Sequence, residues 1–299
     1  MTRAEAATVS VCVPALNAEP FLAATIESVL AQTYRSWELV VVDNASTDRT
    51  GEIARSFDDP RITVLTNEDT VPMADNWNLA VRATTSPWVK LLCADDLIEP
   101  DCLALQMAAA EGVPDAALIA GRRDVIDDHG KTVLHERGLW GIVGVHRGID
   151  VLRRMVSSGT NTVGWPGACL FRRDLFDAVG GFESDWSVLM DLKLWTRLLP
   201  EGDFVGLDAS VASFRVWNRA ATANADALGS RHQALLRLVA ADPRSGVGRF
   251  LLFKGLSRAR LESLKRRLLY AAVGSGSSVV RRLPGVLLQP KRTADNLRG

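Results

Sequence analysis

Short apolar runs alternate with amphipathic segments along the first hundred residues. Helices are predicted after Pro20, where apolar residues recur at helical spacing, at 46–57, where polar cap residues come first, and at 74–83. Pro14 is expected to end the first strand. The alternation of strand and helix predicts an α/β fold with a mostly parallel, Rossmann-like sheet and helices on both faces. The predicted strands lie at 9–13, 38–42, 62–65 and 88–93. The second is a nearly continuous apolar run, typical of a strand covered on both faces.

Beyond residue 100 the pattern is weaker but predicts further elements. Helices are expected at 101–111 and 189–199, and strands at 116–120 and 168–171. The sequence Asp127-Asp128-His129-Gly130 indicates a turn. The sequence shows no internal repeat of the length typical of solenoid proteins.

Composition excludes several classes of protein. With 47% hydrophobic and 23% charged residues among 299, the chain is neither a disordered protein nor a disulfide-stapled miniature. The most apolar stretch, 268–280, is too short for a membrane span and is broken by glycines and serines. The first ten residues lack the apolar segment of a secretory signal. Because the four cysteines form no CxxC pair, we expect a reduced, cytoplasmic protein without a structural zinc site.

A net charge of zero conceals two parts of opposite sign. Residues 1–220 carry 20 basic and 31 acidic side chains, a balance of −11, whereas 221–299 carry 15 basic and 4 acidic ones, a balance of +11. We therefore predict two units, a main domain over 1–220 and a basic helical extension over 221–299. The extension interleaves leucines with basic residues, which fits either peripheral contact with an anionic membrane, slightly favoured, or a helical cap on the acidic domain. Nucleic acid is not an expected partner, because the extension has few aromatic residues and no RNA- or DNA-binding motif.

Acidic residues stand at the predicted ends of strands and at a helix start. Asp43 follows the second strand, Asp95 and Asp96 follow the fourth, and Asp191 opens the helix at 189–199. In open α/β sheets, ligands bind beyond the carboxyl ends of the strands. Adjacent carboxylates repel each other, and a hard cation such as Mg²⁺ or Mn²⁺ relieves that repulsion. From spacing alone, a helix cap is an equal alternative for this pair.

Four segments follow one another along the chain. They are Val13-Pro14-Ala15-Leu16-Asn17, Val42 to Asp48, Cys93-Ala94-Asp95-Asp96, and Gly180-Gly181-Phe182 followed by Met190-Asp191. This series resembles glycosyltransferase family 2, which consists of inverting enzymes with the nucleotide-sugar-binding GT-A fold. The resemblance covers about residues 8–217 and implies that 1–220 is a GT-A catalytic domain.

The resemblance implies a role for each matching residue. Asp43 would accept a hydrogen bond from the base, and Asp95, which matches the last acid of the DxD motif, would bind Mn²⁺ or Mg²⁺ on the sugar diphosphate. Asp191 would be the catalytic base that takes the proton from an acceptor hydroxyl as it attacks the anomeric carbon. Nucleotide-sugar contacts are implied for Pro14, Ala15, Asn17, Asp43, Asn78, Asp95 and Asp96, and contacts with the sugar or the acceptor for Trp165, Gly167 and Arg215.

Three positions depart from the family pattern. Cys93 stands where many relatives have the first acid of DxD, which reduces the expected metal affinity. Met190 precedes the base where a glutamate is common, and Trp217 stands where a histidine often adds a metal or phosphate contact. The expected diphosphate clamp is therefore weaker than in those relatives.

Together these features predict a metal-dependent, inverting glycosyltransferase that uses a UDP- or dTDP-sugar. Its acceptor would be a cell-surface glycan or a lipid-linked sugar, and it would act in the cytoplasm or at the inner face of the membrane. One alternative, favoured by Cys93, is a catalytically silent sugar-nucleotide-binding or scaffold protein. Another is a nucleotidyltransferase of similar fold, against which the missing glycine-rich, basic loop after the first strand counts.

Overall fold

The computed structural model describes residues 8–217 and 225–274, which form ten strands, nine α-helices and several short 3₁₀ turns. The strands are β1 (Val9–Ala15), β2 (Trp37–Asp43), β3 (Ile62–Thr66), β4 (Trp88–Leu91), β5 (Leu97–Ile98), β6 (Ala116–Ile126), β7 (Thr132–Arg137), β8 (Gly144–Arg147), β9 (Cys169–Arg172) and β10 (Asp203–Arg215). The helices are α1 (Leu22–Leu30), α2 (Thr50–Arg55), α3 (Met73–Arg82), α4 (Cys102–Gly112), α5 (Gly148–Ser158), α6 (Arg173–Val179), α7 (Met190–Leu198), α8 (Ala225–Ala241) and α9 (Arg249–Gly274).

The strands of the described chain form one sheet. Its order is β3-β2-β1-β4-β9-β6-β10-β5, with β7 beside β6 and β8 beside β10. The first four strands pair in parallel, as the sequence predicts, and so do β6 and β10. The strands β5, β7, β8 and β9 run antiparallel to their partners. The sheet is therefore parallel in its first half and mixed beyond, and the ends of β1, β2 and β4 share one edge.

Alternate residues of the central strand supply two hydrophobic cores. Val11 and Val13 of β1 belong to the core beneath α1 and α4, whereas Cys12 between them belongs to the core beneath α3, α5 and α7. Successive side chains of a strand point to opposite faces, so a strand buried on both sides must be apolar at every position. This is why the first strands are recognisable in the sequence as continuous apolar runs.

The expected end of β1 at Pro14 is wrong. The strand continues to Ala15, with Pro14 opposite Val42 of β2 and Ala15 opposite Asp43. On its other side, the pairing of β1 with β4 ends at Cys12. A proline is tolerated in a strand where no neighbouring strand requires its missing N–H. Pro14 lies beyond the last residue of β1 that pairs with β4.

The middle of the chain departs most from the predicted elements. The strand expected at 116–120 extends as β6 to Ile126, because β10 pairs with it along its length. Neither β10 nor α5 was predicted. Register shifts between Leu207 and Ser210 and between Ser210 and Ala212 interrupt the alternation of buried and exposed residues in β10. A strand with such irregularities lacks a clear two-residue pattern.

The helices α8 and α9 pack against the main domain. Leu235 and Leu236 of α8 and Ala259 of α9 belong to the same core as α5 and α7. The backbones of α5 and α9 approach closely, since a Cβ on Gly255 would stand 2.0 Å from the Val156 carbonyl oxygen. The predicted boundary at 220 and the last 25 residues of the predicted extension lie outside the described residues. No helix among the described residues has both the length and the apolar character that crossing a bilayer requires.

Candidate functional site

The turn after β4 carries two adjacent carboxylates held by the end of β10. Asp96 is buried, and its Oδ1 accepts a hydrogen bond from the backbone N of Arg215 at 2.9 Å. Asp95 Oδ2 accepts a hydrogen bond from Trp217 Nε1 at 2.8 Å. Burial, together with the neighbouring charge of Asp95, raises the pKa of Asp96 well above its ordinary value. The fold thus holds two mutually repelling carboxylates in fixed positions.

The Arg215 side chain ties this turn to its surroundings. Its Nε donates to the Asp95 carbonyl oxygen at 2.8 Å and its Nη1 to that of Asp127 at 2.9 Å. The guanidinium also lies 4.6 Å from the centre of the Phe21 ring. Because these N–H groups bond the protein's own carbonyls, Arg215 positions the Asp95-Asp96 turn. A direct contact of Arg215 with sugar or acceptor stays a prediction.

Cys93 completes a group of possible metal ligands. Its Sγ and carboxylate oxygens of Asp95 and Asp96 all lie within 4.8 Å of one another. Burial and the surrounding carboxylates raise the pKa of the Cys93 thiol well above its ordinary value. Sulfur is also a soft ligand, which suits a hard cation poorly. One oxygen of each carboxylate accepts a hydrogen bond, that of Asp96 from the backbone of β10 and that of Asp95 from Trp217. The second oxygen of each carboxylate accepts no hydrogen bond from the described residues. The two free oxygens are the ligand type that Mg²⁺ and Mn²⁺ prefer.

Asp191 belongs to the same site although it lies almost a hundred residues away in sequence. It stands in the first turn of α7 and is 6% exposed. Burial raises the pKa of Asp191 to about 7, while the backbone N–H groups of Leu192 and Asp191 and the charge of Arg123 act in the opposite direction. The charges of Asp95, Asp96 and Asp191 all raise the pKa of the Cys93 thiol. The fold therefore brings together the three carboxylates that the sequence singles out.

The loops after β1 and β2 are joined to each other beside these carboxylates. Asn17 Oδ1 accepts a hydrogen bond from the Thr47 backbone N at 2.9 Å, and Asn17 N donates to Ser46 Oγ at 2.9 Å. Asn17 has a φ of 49°, a left-handed conformation that asparagine tolerates better than most residues. Asp43 is buried at the end of β2, where its Oδ1 accepts from the Ser46 backbone N at 3.1 Å.

Pro14 and Ala15, at the end of β1, are buried beside these loops. Asn78 stands apart from them, on α3. Its Nδ2 donates to the Phe182 carbonyl oxygen at 2.9 Å, and its Oδ1 accepts from the Phe182 backbone N at 2.8 Å. The amide therefore holds the Gly180-Gly181-Phe182 segment that leads to α7. The nucleotide-sugar contacts of Pro14, Ala15, Asn17, Asp43 and Asn78 stay predictions.

Trp165 is packed on both sides of its ring. The Phe214 ring stacks on it with 3.9 Å between centroids and an interplanar angle of 12°, and the Arg123 guanidinium lies 4.1 Å from its centre. A parallel ring at that distance covers one face, which leaves the other to Arg123. Both faces of the ring are therefore covered by side chains of the protein, and a contact of Trp165 with sugar or acceptor stays a prediction.

Lys90 is a buried cation that positions the loop after Trp165. It is 0% exposed, and its Nζ donates to the carbonyl oxygens of Gly167 at 2.7 Å and Cys169 at 3.0 Å. Gln106 Nε2 donates to the Ala168 carbonyl oxygen at 3.0 Å. These bonds fix the buried backbone at Gly167, whose contact with substrate stays a prediction. A lysine inside the apolar run of β4 was the available sequence signal for this role.

Comparison with known proteins gives the family. The family model described as "Glycosyl transferase family 2" matches residues 10–180. EpsE of Bacillus subtilis, which bears a glycosyltransferase name, is 29% identical over 216 residues, covering 70% of this chain and 72% of EpsE. The Escherichia coli protein named UDP-Glc:alpha-D-GlcNAc-diphosphoundecaprenol beta-1,3-glucosyltransferase WfgD is 38% identical over 100 residues, covering 33% of this chain and 40% of WfgD. A Sinorhizobium fredii protein, y4gI, is 37% identical over 126 residues, which cover 41% of this chain but only 14% of y4gI.

Solved structures share the fold. Residues 1–349 of S. aureus TarS, in complex with UDP-GlcNAc, align with a TM-score of 0.67 at 16% identity, covering 84% of this chain and 72% of that one. The mannosyltransferase PcManGT from Pyrobaculum calidifontis, in complex with GDP-Man and Mn²⁺, aligns with a TM-score of 0.58 at 22% identity, covering 95% and 79%. At these identities the likeness establishes the fold, which is the predicted GT-A fold.

Proposed function

Because the chain belongs to glycosyl transferase family 2, we propose that it transfers a sugar, with inversion, from a UDP- or dTDP-sugar to a hydroxyl of a glycan or lipid-linked acceptor. The observation that carries this proposal is that Asp95 and Asp96 lie within 4.8 Å of the Cys93 thiol and that the charge of Asp191 acts on the same thiol. An inverting displacement needs a base on one side of the reacting carbon and a means of stabilising the leaving group on the other. The UDP-GlcNAc complex of TarS supports a UDP-sugar as donor, whereas the GDP-Man complex of PcManGT supports a nucleotide-sugar donor in general.

The loops after β1 and β2 form the proposed nucleotide side of the site. Asp43 is a buried carboxylate at the end of β2, and a carboxylate only accepts hydrogen bonds, so it suits a base edge that carries an N–H. Uracil and thymine both present such an edge. The bonds from Asn17 to Ser46 and Thr47 keep the two loops together, and Pro14 and Ala15 supply the adjoining wall.

Asp95 is the proposed ligand of a divalent cation, Mn²⁺ or Mg²⁺, with Asp96 beside it. When bound, such a cation neutralises negative charge that develops on the departing nucleoside diphosphate. Trp217 donates to one Asp95 oxygen and so orients the other. The indole thus supports this carboxylate from the position where many relatives have a histidine. The backbone N of Arg215 does the same for Asp96.

Asp191 is the proposed catalytic base. It accepts the proton of the acceptor hydroxyl while the hydroxyl oxygen attacks the anomeric carbon and the bond to the diphosphate breaks. A pKa of about 7 makes Asp191 a stronger base than an ordinary exposed aspartate, and burial is the main cause. The charge of Arg123 opposes that rise, so part of the carboxyl is ionised at neutral pH and the rest becomes ionised as the pH increases.

A panel of nucleotide sugars tests the choice of donor and cation. The melting temperature of the protein is measured with UDP-, dTDP- and GDP-sugars, each with Mn²⁺ and with EDTA. Saturating ligand at 100 times its Kd adds about 2.7 kcal/mol to the free energy of unfolding. We expect stabilisation by a UDP- or dTDP-sugar that depends on Mn²⁺. Stabilisation by none of them, or equal stabilisation in EDTA, would contradict the proposal.

The rate of transfer is expected to fall in acid because of Asp191. Its pKa is raised to about 7, so below that pH the carboxyl becomes protonated and cannot accept a proton. We expect kcat/KM to fall about tenfold per pH unit below pH 7 and to level off above it, because kcat/KM reports the ionisation of the free enzyme. Initial rates between pH 5 and 9 check this. A profile that stays flat down to pH 5 would show that Asp191 does not titrate as the base.

Contact with an anionic membrane surface is the proposed role of the first turns of α9. Phe250 and Phe253 are 79% and 70% exposed, and the basic residues Arg249 and Lys254 beside them are also exposed. Aromatic side chains next to basic ones suit the boundary between lipid headgroups and acyl chains. An enzyme of the inner face of the membrane could in this way reach a lipid-linked acceptor.

Replacing both aromatic residues is expected to weaken membrane binding. Burying a phenylalanine side chain is worth about 1.5–3 kcal/mol, so Phe250→Ser with Phe253→Ser should lower binding to vesicles containing phosphatidylglycerol at least tenfold. Vesicle co-sedimentation measures this. The matched control is Val133→Ser with Val145→Ser, two residues that are 53% and 57% exposed on β7 and β8. Equal binding by both double variants would exclude this surface of α9.

A further inference from the structure

Arg123 is a buried cation without the partners that such a group ordinarily has. It lies on β6 and is 6% exposed. Its Nε and Nη1 atoms are buried, and among the described residues neither has a hydrogen-bond partner. Buried polar groups in proteins are nearly always bonded, and a buried charge is normally paired. Two unused guanidinium donors in the interior therefore call for a functional explanation.

Arg122, the residue before Arg123, has hydrogen-bond partners for its guanidinium. Arg122 Nε donates to Asp208 Oδ1 at 2.6 Å, and Arg122 Nη1 donates to the Gly138 carbonyl oxygen at 3.1 Å. Arg123 makes no such ion pair within the described residues. Burial, with the charge of Arg137 opposite it on β7, lowers the pKa of Arg123 to about 10. The cation is thus held at an energetic cost that a bound anion would offset.

The chain makes room for this guanidinium. A Cβ on Gly138 would stand 2.5 Å from Arg123 Nη1, and a Cβ on Gly164 would stand 2.9 Å from the same atom. Both glycines have positive φ, at 100° and 133°. The Trp165 ring supports the guanidinium plane at 4.1 Å. Two glycines and an aromatic ring therefore fix the position of an unpaired cation.

Contacts through Gly164 and the charges of both groups link the Arg123 cation to the helix that carries the proposed base. Arg123 lowers the pKa of Asp191, and the carboxylates of Asp191 and Asp96 in turn raise that of Arg123. Among the described residues the two side chains form no ion pair. Trp195 of α7 donates its Nε1 to the Gly164 carbonyl oxygen at 3.1 Å, and Gly164 lies against the Arg123 guanidinium, so the helix that carries Asp191 packs beside this cation. In an inverting displacement, the base lies on the side of the acceptor, opposite the departing diphosphate. A group beside Asp191 therefore meets the acceptor.

We propose that Arg123 binds an oxyanion of the acceptor, so that the enzyme glycosylates a sugar bearing a phosphate or carboxylate group. This rests on the proposed glycosyltransferase function. A guanidinium presents a planar pair of donors that matches both kinds of oxyanion. A phosphate would come from an acceptor linked through phosphate to its carrier, and a carboxylate from an acidic sugar within a glycan.

Binding of small anionic sugars to the full chain tests the proposal. With the donor side occupied by saturating UDP and Mn²⁺, calorimetry measures the Kd values of glucose 1-phosphate, glucuronate and neutral glucose at equal ionic strength. The wild type should bind at least one anionic sugar at least tenfold more tightly than glucose. A preference for glucose 1-phosphate would indicate a phosphate-linked acceptor, and a preference for glucuronate an acidic sugar within a glycan. Arg123→Met should abolish this preference and leave the affinity for UDP unchanged. Arg122→Met is the matched control and should keep the preference.

The melting temperatures distinguish this role from a structural one. Because Arg123 is unpaired, Arg123→Met should melt at the same temperature as the wild type or higher, whereas a structural arginine would lower it. Should Arg123→Met fail to fold, Arg123→Lys, which keeps the charge but not the planar donor pair, should bind the anionic sugars more weakly. Wild-type protein that binds UDP but neither anion overturns the inference and leaves the proposed function intact. A loss of UDP affinity in Arg123→Met would also overturn it, since the guanidinium would then serve the leaving group.

Discussion

Asp191→Asn is expected to lower kcat by about 10²- to 10⁴-fold, the usual contribution of a general base. Asparagine keeps the shape of the side chain but cannot accept the proton of the acceptor hydroxyl. At 1.36 kcal/mol per factor of ten, this corresponds to about 3–5 kcal/mol of activation free energy. Initial rates of sugar transfer at saturating donor measure the effect, and the acid limb of the pH profile should disappear with it.

Two controls accompany that substitution. Asp185→Asn removes an exposed carboxylate from the segment that precedes α7 and should leave kcat unchanged. The affinity of Asp191→Asn for UDP with Mn²⁺ should equal that of the wild type, since Asp191 is not on the nucleotide side. A variant that keeps kcat within tenfold would exclude Asp191 as the base. A wild-type protein that binds nucleotide but transfers no sugar would instead favour the scaffold alternative.

Asp95→Asn should weaken the binding of Mn²⁺ by at least about 10²-fold. Groups that only support a metal ligand typically change metal affinity 10- to 100-fold when replaced, and Asp95 is proposed as a ligand itself. The thiol of Cys93 is a poor substitute, because sulfur is a soft ligand and Mn²⁺ prefers oxygen ligands. The amount of free Mn²⁺, followed by electron paramagnetic resonance in the presence of UDP, gives the affinity independently of turnover.

The control for Asp95→Asn is a carboxylate close in sequence to the site but outside the ligand group. Asp128 lies in the turn between β6 and β7, and its side chain is 60% exposed. Asp128→Asn should bind Mn²⁺ as the wild type does. If both variants kept wild-type affinity, the cation would bind elsewhere or not at all, and the proposed role of Asp95 would be lost.

The sequence predicted the first half of the fold well, for a physical reason. The strands β1, β2 and β4 are buried on both faces, so most of their residues are apolar and the runs stand out, and β3 at the end of the sheet is partly buried. The long strand β10 is different, because its bulges break the two-residue alternation and polar residues lie among the apolar ones. Its pairing with β6, which carries Arg123, depends on contacts about ninety residues apart that a local pattern cannot reveal.

The candidate site, like the fold, could be predicted from the sequence only in part. Motif order was enough to single out Asp95, Asp96 and Asp191, which the fold brings together. The hydrogen bond from Trp217 to Asp95 could not be predicted, since it requires knowing where β10 ends relative to β4. Arg123 was not singled out either, although an arginine inside a mostly apolar stretch was a usable signal.

The anomeric configuration of the first product is the most direct test of the account. With a nucleotide α-sugar as donor and water as acceptor, proton NMR can follow the released sugar before it equilibrates between its two forms. A single displacement assisted by Asp191, opposite a diphosphate held at Asp95, predicts that the β-anomer appears first. If the α-anomer appears first, the two carboxylates do not act on opposite sides of the reacting carbon, and the proposed mechanism is wrong.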